Sequence, residues 1–159
     1  GSFSGGGLQR WRTFRRWPRS DRGPAWIGMG WRHLEEAARA AKLRAYCPYS
    51  KYPVGAAIYD EEGRLFSGTN VENVSFGATL CAERSAVSQM ILQGGREIRQ
   101  LAVATEDGGF PCGICLQVLA EFRPQDGSME IALLNDAGRK LFTLSELFPF
   151  AFASLGHGS

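Results

Sequence analysis

Residues 79–115 read TLCAERSAVSQMILQGGREIRQLAVATEDGGFPCGIC, and three signals inside that stretch set the fold class. Thr79 to Leu92 carries Ala82, Ala86 and Met90 at i, i+4 spacing, which predicts a helix. Leu101 to Thr105, LAVAT, is a short apolar run of the kind found in buried strands. Pro111 opens a second predicted helix running to about Phe122, with proline in the first turn. Helix, strand, helix in that order belongs to a layered α/β arrangement.

The flanking sequence extends the pattern in both directions. Upstream, Leu34, Ala37, Ala38, Ala41 and Leu43 fall near one face of a helix that begins at Trp31 and ends before Pro48. Pro53 to Tyr59 (PVGAAIY) predicts a strand, Asp60 to Gly63 a turn, and Arg64 to Val71 a second strand, so the pair forms a hairpin. Downstream, Met129 to Leu134 and Lys140 to Thr143 predict two strands joined by a turn at Asn135 to Gly138. A short helix over about Leu144 to Leu147 follows. The expected fold is an α/β, three-layer α/β/α sandwich, with a mixed sheet of about five strands and helices on both faces.

The chain has 159 residues, 44% of them hydrophobic and 21% charged, the balance of a globular domain able to bury a core. Its longest apolar runs, such as Leu147 to Leu155 with Pro149 inside it, fall short of the roughly 20 residues a membrane-spanning helix needs. The formal net charge of +2 is unevenly spread. Residues 1–28 hold six arginines against Asp21, together with three of the four tryptophans, and have no clean periodicity. The other residues hold twelve basic and fifteen acidic side chains, a net of −3. Such a domain has no evident electrostatic footprint for a polynucleotide and suits small-molecule chemistry. The expected organisation is a disordered or cloning-derived Arg/Gly/Trp-rich extension over 1–28 and one catalytic domain over 29–155, with Met29 a natural start. An Arg-rich, acid-poor segment also suits mitochondrial targeting, but such a segment should begin with Met.

The chemistry concentrates in Cys81-Ala82-Glu83 and Pro111-Cys112-Gly113-Ile114-Cys115. The only histidines, His33 and His157, lie near the two ends of the chain, so a metal site in the middle has to be thiolate-based. Cys-x-x-Cys alone fits a redox pair or a zinc ribbon as readily as a catalytic metal. Cys47 can be read as a fourth ligand closing a structural site; as a small buried hydrophobe it needs no function, and that reading is preferred. Three thiolates leave one zinc coordination position open for water, as catalytic sites do. Two helix N-termini near the cluster favour its anionic form. Zinc with three thiolates carries a formal charge of −1, and Arg84 is the candidate cation to offset it. Glu83, two residues beyond a ligand, is placed to move protons for water whose pKa zinc lowers from about 16 to about 7. The combined spacing matches the zinc deaminase pattern, with cysteine where histidine is usual.

On these residues, with AYCPYSKYPVGAAI, GTNVENVSFGATLCAERSA, PCGICLQVLAEF and LFPFAF, the chain from about Leu34 to Phe152 resembles the cytidine deaminases of the small, homotetrameric, three-cysteine type. The resemblance implies one zinc ion per chain and hydrolytic deamination of cytidine or deoxycytidine in pyrimidine salvage, in the cytoplasm. It implies that Asn70 and Glu72 bind the sugar 3′-hydroxyl, that backbone groups near Ala82 and Phe110 meet the pyrimidine edge, and that Phe152 reaches a neighbouring subunit's site. Tyr52 stands where the family usually has a phenylalanine stacked on the base. Read without the resemblance, Asn70 and Asn73 are turn residues, Tyr52 a strand-flanking core aromatic and Phe152 C-terminal packing. One departure is Leu116, where the family usually has arginine after the second cysteine of the pair; Arg84 then offsets the thiolate charge alone. Competing expectations are a deaminase of another base or nucleoside analogue, a catalytically silent zinc-binding protein of the same fold, and a thiol redox protein using Cys112 and Cys115.

Overall fold

The computed structural model describes residues 30–152, so the expectations for 1–28, for Met29 and for the domain end at 155 lie outside the described residues. Its elements follow in the order α1 (Arg32–Lys42), β1 (Gly55–Asp60), β2 (Leu65–Thr69), α2 (Ala82–Leu92), β3 (Ile98–Ala104), α3 (Gly113–Glu121), β4 (Glu130–Asn135), β5 (Gly138–Thr143) and α4 (Leu144–Leu147). A one-turn 3-10 helix, Phe76–Ala78, lies between β2 and α2.

The strands form one sheet in the order β2-β1-β3-β4-β5. Pairing is antiparallel except between β3 and β4, which run parallel because α3 carries the chain back across the sheet between them. Alternation along the strands gives the sheet two apolar faces. Ala57, Tyr59, Ala102, Ala104, Ala132 and Leu134 pack with Leu34 and Ala38 of α1. Ala56, Ile58, Leu101, Val103, Ile131 and Leu133 face the other way, toward Ala82, Ala86 and Met90 of α2, Leu119 of α3 and Leu144 of α4. The expected mixed sheet between two helical layers is thus observed.

Two glycines let the helices settle close to the sheet. A Cβ at Gly55 would lie 2.0 Å from the Ala38 carbonyl oxygen of α1, and one at Gly68 would lie 2.3 Å from the Ala86 nitrogen of α2. At both positions the side chain is absent because helix backbone occupies its place.

The element boundaries correct the sequence reading in informative places. The helix expected from Thr79 begins at Ala82, because Leu80 is drawn into an extended pair with Val71. The two exchange N–H to carbonyl bonds of 2.9 Å in each direction. Pro111 is not in the first turn of α3. Cys112, extended at φ −69° and ψ 163°, is the N-cap, and its sulfur accepts the Cys115 N–H, so the helix starts after it. The strand expected from Leu101 starts at Ile98, where the Ile98 N–H reaches the Phe122 carbonyl at 2.8 Å. The strand expected to reach Val71 ends at Thr69. Among the described residues no helix is long and apolar enough to cross a membrane.

Candidate metal and active site

The two helices on the same side of the sheet bring the cysteines together. Cys81 is the N-cap of α2, Cys112 the N-cap of α3, and Cys115 lies in the first turn of α3. Their three Sγ atoms lie within 4.8 Å of one another. Zinc–sulfur bonds of about 2.3 Å fit around a centre shared by such a cluster. Cys47 does not belong to the group, and it is half-buried rather than enclosed in the core as expected. Among the described residues no fourth histidine, cysteine or carboxylate closes the cluster. The thiols therefore fit one zinc ion per chain, held by Cys81, Cys112 and Cys115, with a coordination position left for another ligand.

Charge around the cluster favours its anionic form. Arg84 Nη2 donates to Cys81 Sγ at 3.7 Å and to the Thr79 carbonyl at 3.1 Å. The Cys81 thiol is drawn down to about 5, first by a hydrogen bond from Cys115 and then by the Arg84 guanidinium, against the opposing effect of burial. Cys115 is held well above the ordinary thiol range, chiefly by donating to Cys81 and secondly by burial. Without metal, the two are driven in opposite directions, Cys81 toward the thiolate and Cys115 toward the thiol. The Arg84 guanidinium is itself held more firmly protonated, foremost by its hydrogen bond to Cys81.

Glu83 points into the same place. It is 5% exposed, and its Oε2 lies 3.7 Å from Cys115 Sγ. Burial raises its pKa, and the neighbouring Cys81 charge raises it further. A buried carboxyl that both holds and releases a proton beside a metal site is suited to general acid–base work.

Cys81, Cys112 and Glu83 form one wall of a cavity of about 740 Å³, a size suited to a small organic ligand. Asn70, Glu72, Tyr52, Ala82 and Phe110 also line it, so these five sequence-predicted residues meet in one place. Asn70 Oδ1 accepts the Val54 N–H at 2.9 Å, and its amide donates to the Tyr52 carbonyl at 2.9 Å. Glu72 accepts from the Ser50 N–H at 3.1 Å and from the Ser50 hydroxyl at 2.6 Å. Phe152 stands apart: it is exposed and does not line the cavity of its own chain.

The comparisons agree with this geometry. A family model described as the cytidine and deoxycytidylate deaminase zinc-binding region matches residues 31–130. The cytidine deaminase of Sporosarcina psychrophila is 42% identical over 119 residues, covering 73% of this chain and 86% of the relative. That of Mycobacterium tuberculosis is also 42% identical, over 124 residues, covering 77% of this chain and 89% of the relative. Its crystal structure superposes with a TM-score of 0.67 at 38% identity, covering 78% of this chain and 98% of that one. The cytidine deaminase of Burkholderia pseudomallei superposes with a TM-score of 0.72 at 39% identity, over 78% of this chain and all of that one.

The chain belongs to the cytidine and deoxycytidylate deaminase family.

Within that deaminase framework, Leu116 packs against the apolar core. The Arg84 guanidinium reaches the cluster at Cys81. Several residues that shape the deaminase cavity escaped the sequence reading. Ser50 anchors Glu72, and Thr105 lines the cavity while binding the Gly108 and Gly109 N–H groups. Tyr49 and Phe76 meet edge-to-face at 5.8 Å on its rim. Ser50 and Tyr49 lie inside the quoted AYCPYSKYPVGAAI block, but their types alone carry no chemistry that would single them out.

Proposed function

We propose that this protein deaminates cytidine, deoxycytidine or both, converting them to uridine or deoxyuridine with release of ammonia. The observation that carries the proposal is the buried Glu83 carboxyl, 3.7 Å from the sulfur of Cys115, in the wall of a nucleoside-sized cavity. Zinc held by Cys81, Cys112 and Cys115 supplies Lewis-acid activation of the attacking water. Glu83 takes a proton from that water and delivers it to N3 of the pyrimidine while the water oxygen bonds to C4. It then takes the proton of the new C4 hydroxyl and passes it to the C4 amino nitrogen; the C4–N bond breaks as the C4 carbonyl forms, and ammonia leaves. Arg84 offsets thiolate charge through its contact with Cys81.

The residues that line the cavity support a set of substrate contacts. Asn70 and Glu72, each pinned by its neighbours, bind the sugar 3′-hydroxyl. The Tyr52 ring lies against the base, and backbone groups at Ala82 and Phe110 meet the pyrimidine edge. Phe152 completes the site of a neighbouring subunit in a homotetramer. The catalytic domain is taken as 29–155, with 1–28 as an extension, and the setting as cytoplasmic pyrimidine salvage without nucleic-acid or membrane partners.

The test is ultraviolet-monitored conversion of cytidine to uridine with and without a strong chelator. Turnover that disappears on chelation and returns with zinc supports the proposal; turnover indifferent to chelation overturns it. A second reading, a catalytically silent zinc-binding protein, is favoured by Leu116 at the position where the family usually has arginine. One zinc per chain with no ammonia released from any nucleoside decides for it.

A further inference from the structure

Asp107 has no role in the chemistry above and does not line the cavity, yet it gathers hydrogen bonds from residues that do. Its Oδ1 accepts the Tyr52 hydroxyl at 2.5 Å, the Gly109 N–H at 3.0 Å and a bond to the Thr105 hydroxyl of 3.2 Å. The Thr105 oxygen in turn accepts the N–H groups of Gly108 and Gly109 at 2.8 and 2.9 Å. The backbone of Asp107 also bridges to Asn135 at the end of β4, which ties the group to the sheet.

The other end of Tyr52 is held as well. Its N–H donates to the Ser50 hydroxyl at 3.1 Å, and that hydroxyl donates to Glu72 at 2.6 Å. One hydrogen-bonded belt therefore runs from Glu72 through Ser50, Tyr52 and Asp107 to Gly109. We propose that Asp107 is a positioning residue for nucleoside binding, clamping the Tyr52 ring and the Gly108–Phe110 segment into one fixed wall of the cavity. The inference rests on the deaminase reading of the cavity and adds to it a device that depends on tyrosine at position 52. A phenylalanine ring there has no hydroxyl to give to Asp107.

Two further features fit the clamp. A Cβ at Gly109 would lie 2.7 Å from the Tyr52 hydroxyl and 3.1 Å from Asp107 Oδ1, so glycine leaves the space that the phenol tip fills. Gly108, at φ +77°, takes a left-handed turn, and two successive glycines are costly to order without anchors. Asp107 supplies the anchors, and as an anion it makes each bond stronger than a neutral acceptor would. Its carboxyl is held below the ordinary carboxylate range, first by the Tyr52 hydroxyl, then by the Gly109 and Thr105 donors. A wall ordered before the nucleoside arrives spares the ordering cost on binding. The effect belongs to affinity rather than to the chemical step.

The experiment compares the zinc-loaded protein with Tyr52→Phe, Asp107→Ala, their double variant and Asp107→Asn, by steady-state kinetics on cytidine and by amide hydrogen exchange over residues 105–110. Tyr52→Phe and Asp107→Ala are each expected to raise KM about 10-fold while kcat stays within about 3-fold, the signature of lost uniform binding. The double variant should be no worse than either single one, and exchange should quicken in all three. Asp107→Asn keeps an acceptor oxygen but not the charge, so its KM should fall between those of the parent and Asp107→Ala. Unchanged KM, additive losses in the double variant, or a fall in kcat matched by lost zinc overturns the inference. If the parent leaves cytidine unchanged, the deaminase reading falls instead; exchange of 105–110 then decides for or against the clamp by itself.

Discussion

At the scale of single residues, the site is governed by how its sulfur and carboxyl groups share protons. Glu83 is expected to matter most. Glu83→Gln keeps the volume but cannot accept the water proton, so turnover should fall by about 10²–10⁴-fold with one zinc per chain retained. Metal analysis beside the ammonia assay checks it, and near-normal turnover excludes Glu83 as the proton carrier. The sign of the pH effect follows from its raised pKa. A carboxyl that must be ionised to act loses activity as pH falls through its pKa. The acid limb of kcat/KM should therefore lie above the ordinary glutamate value of about 4.3. A second expectation concerns the metal-free protein, where Cys81 is drawn down to about 5 and Cys115 is pushed up. Thiolate absorbance should appear as pH rises through about 5 and should be missing in Cys81→Ser. Zinc added at neutral pH should still release protons, since Cys115 retains its own. The three-cysteine cluster and the position of Glu83 beside it were legible in the sequence because their spacing is local to two helix starts. Ser50 and Asp107 were not. They act through hydrogen bonds to partners 22 and 55 positions away, which no local pattern reveals.

Elements carry these residues into place, and the fit that bears on the thiols is that between α2 and β2. At Gly68 a Cβ would meet the Ala86 nitrogen at 2.3 Å and the Ala82 carbonyl at 2.7 Å, both backbone atoms of α2. Gly68→Ala has to push that helix off the sheet, at a cost of about 1–3 kcal/mol as for other overpacked cores. Because Cys81 caps α2, the same shift should weaken zinc binding. Gly55→Ala presses on α1, on the opposite face, and should lower Tm without altering zinc affinity. Thermal unfolding together with chelator competition separates the two, and equal zinc affinity in both variants counts against the coupling. The order of elements and the two-faced sheet were legible from periodicity, since alternation and i, i+4 spacing are properties of each segment alone. The start of α2 was not. Helical spacing begins at Thr79, but pairing of Leu80 with Val71 holds the chain extended until Cys81. Pro111 misled for a related reason. Proline suits a first turn, yet Cys112 takes the cap because its sulfur accepts the Cys115 N–H.

For the whole molecule, the question is what covers its exposed apolar side chains. Phe76, Val74 and Ile114 are exposed, and Phe110, which lines the cavity, is 64% exposed. Phe152 is more unusual, because its backbone is fixed while its ring is free. Gln117 of α3 donates to the Phe152 carbonyl at 2.9 Å and accepts the Phe152 N–H at 3.1 Å, yet the residue is 78% exposed. An anchored backbone that presents an aromatic ring to solvent is suited to a partner's surface. In the proposed homotetramer that partner is another copy, and the ring serves the neighbour's cavity rather than its own. Phe152→Ala should then reduce turnover although Phe152 touches no part of its own chain's cavity. The decisive measurement mixes Phe152→Ala chains with Glu83→Gln chains after dissociation and reassembly. Each kind is weak alone, one for want of the ring and the other for want of the carboxyl. In a mixed assembly, an intact Glu83 can meet an intact Phe152 supplied by its neighbour, so turnover should rise well above that of either parent. Turnover that stays at the average of the two parents, in samples shown by sedimentation to have mixed, means that each chain completes its own site and that the exposed ring has another purpose.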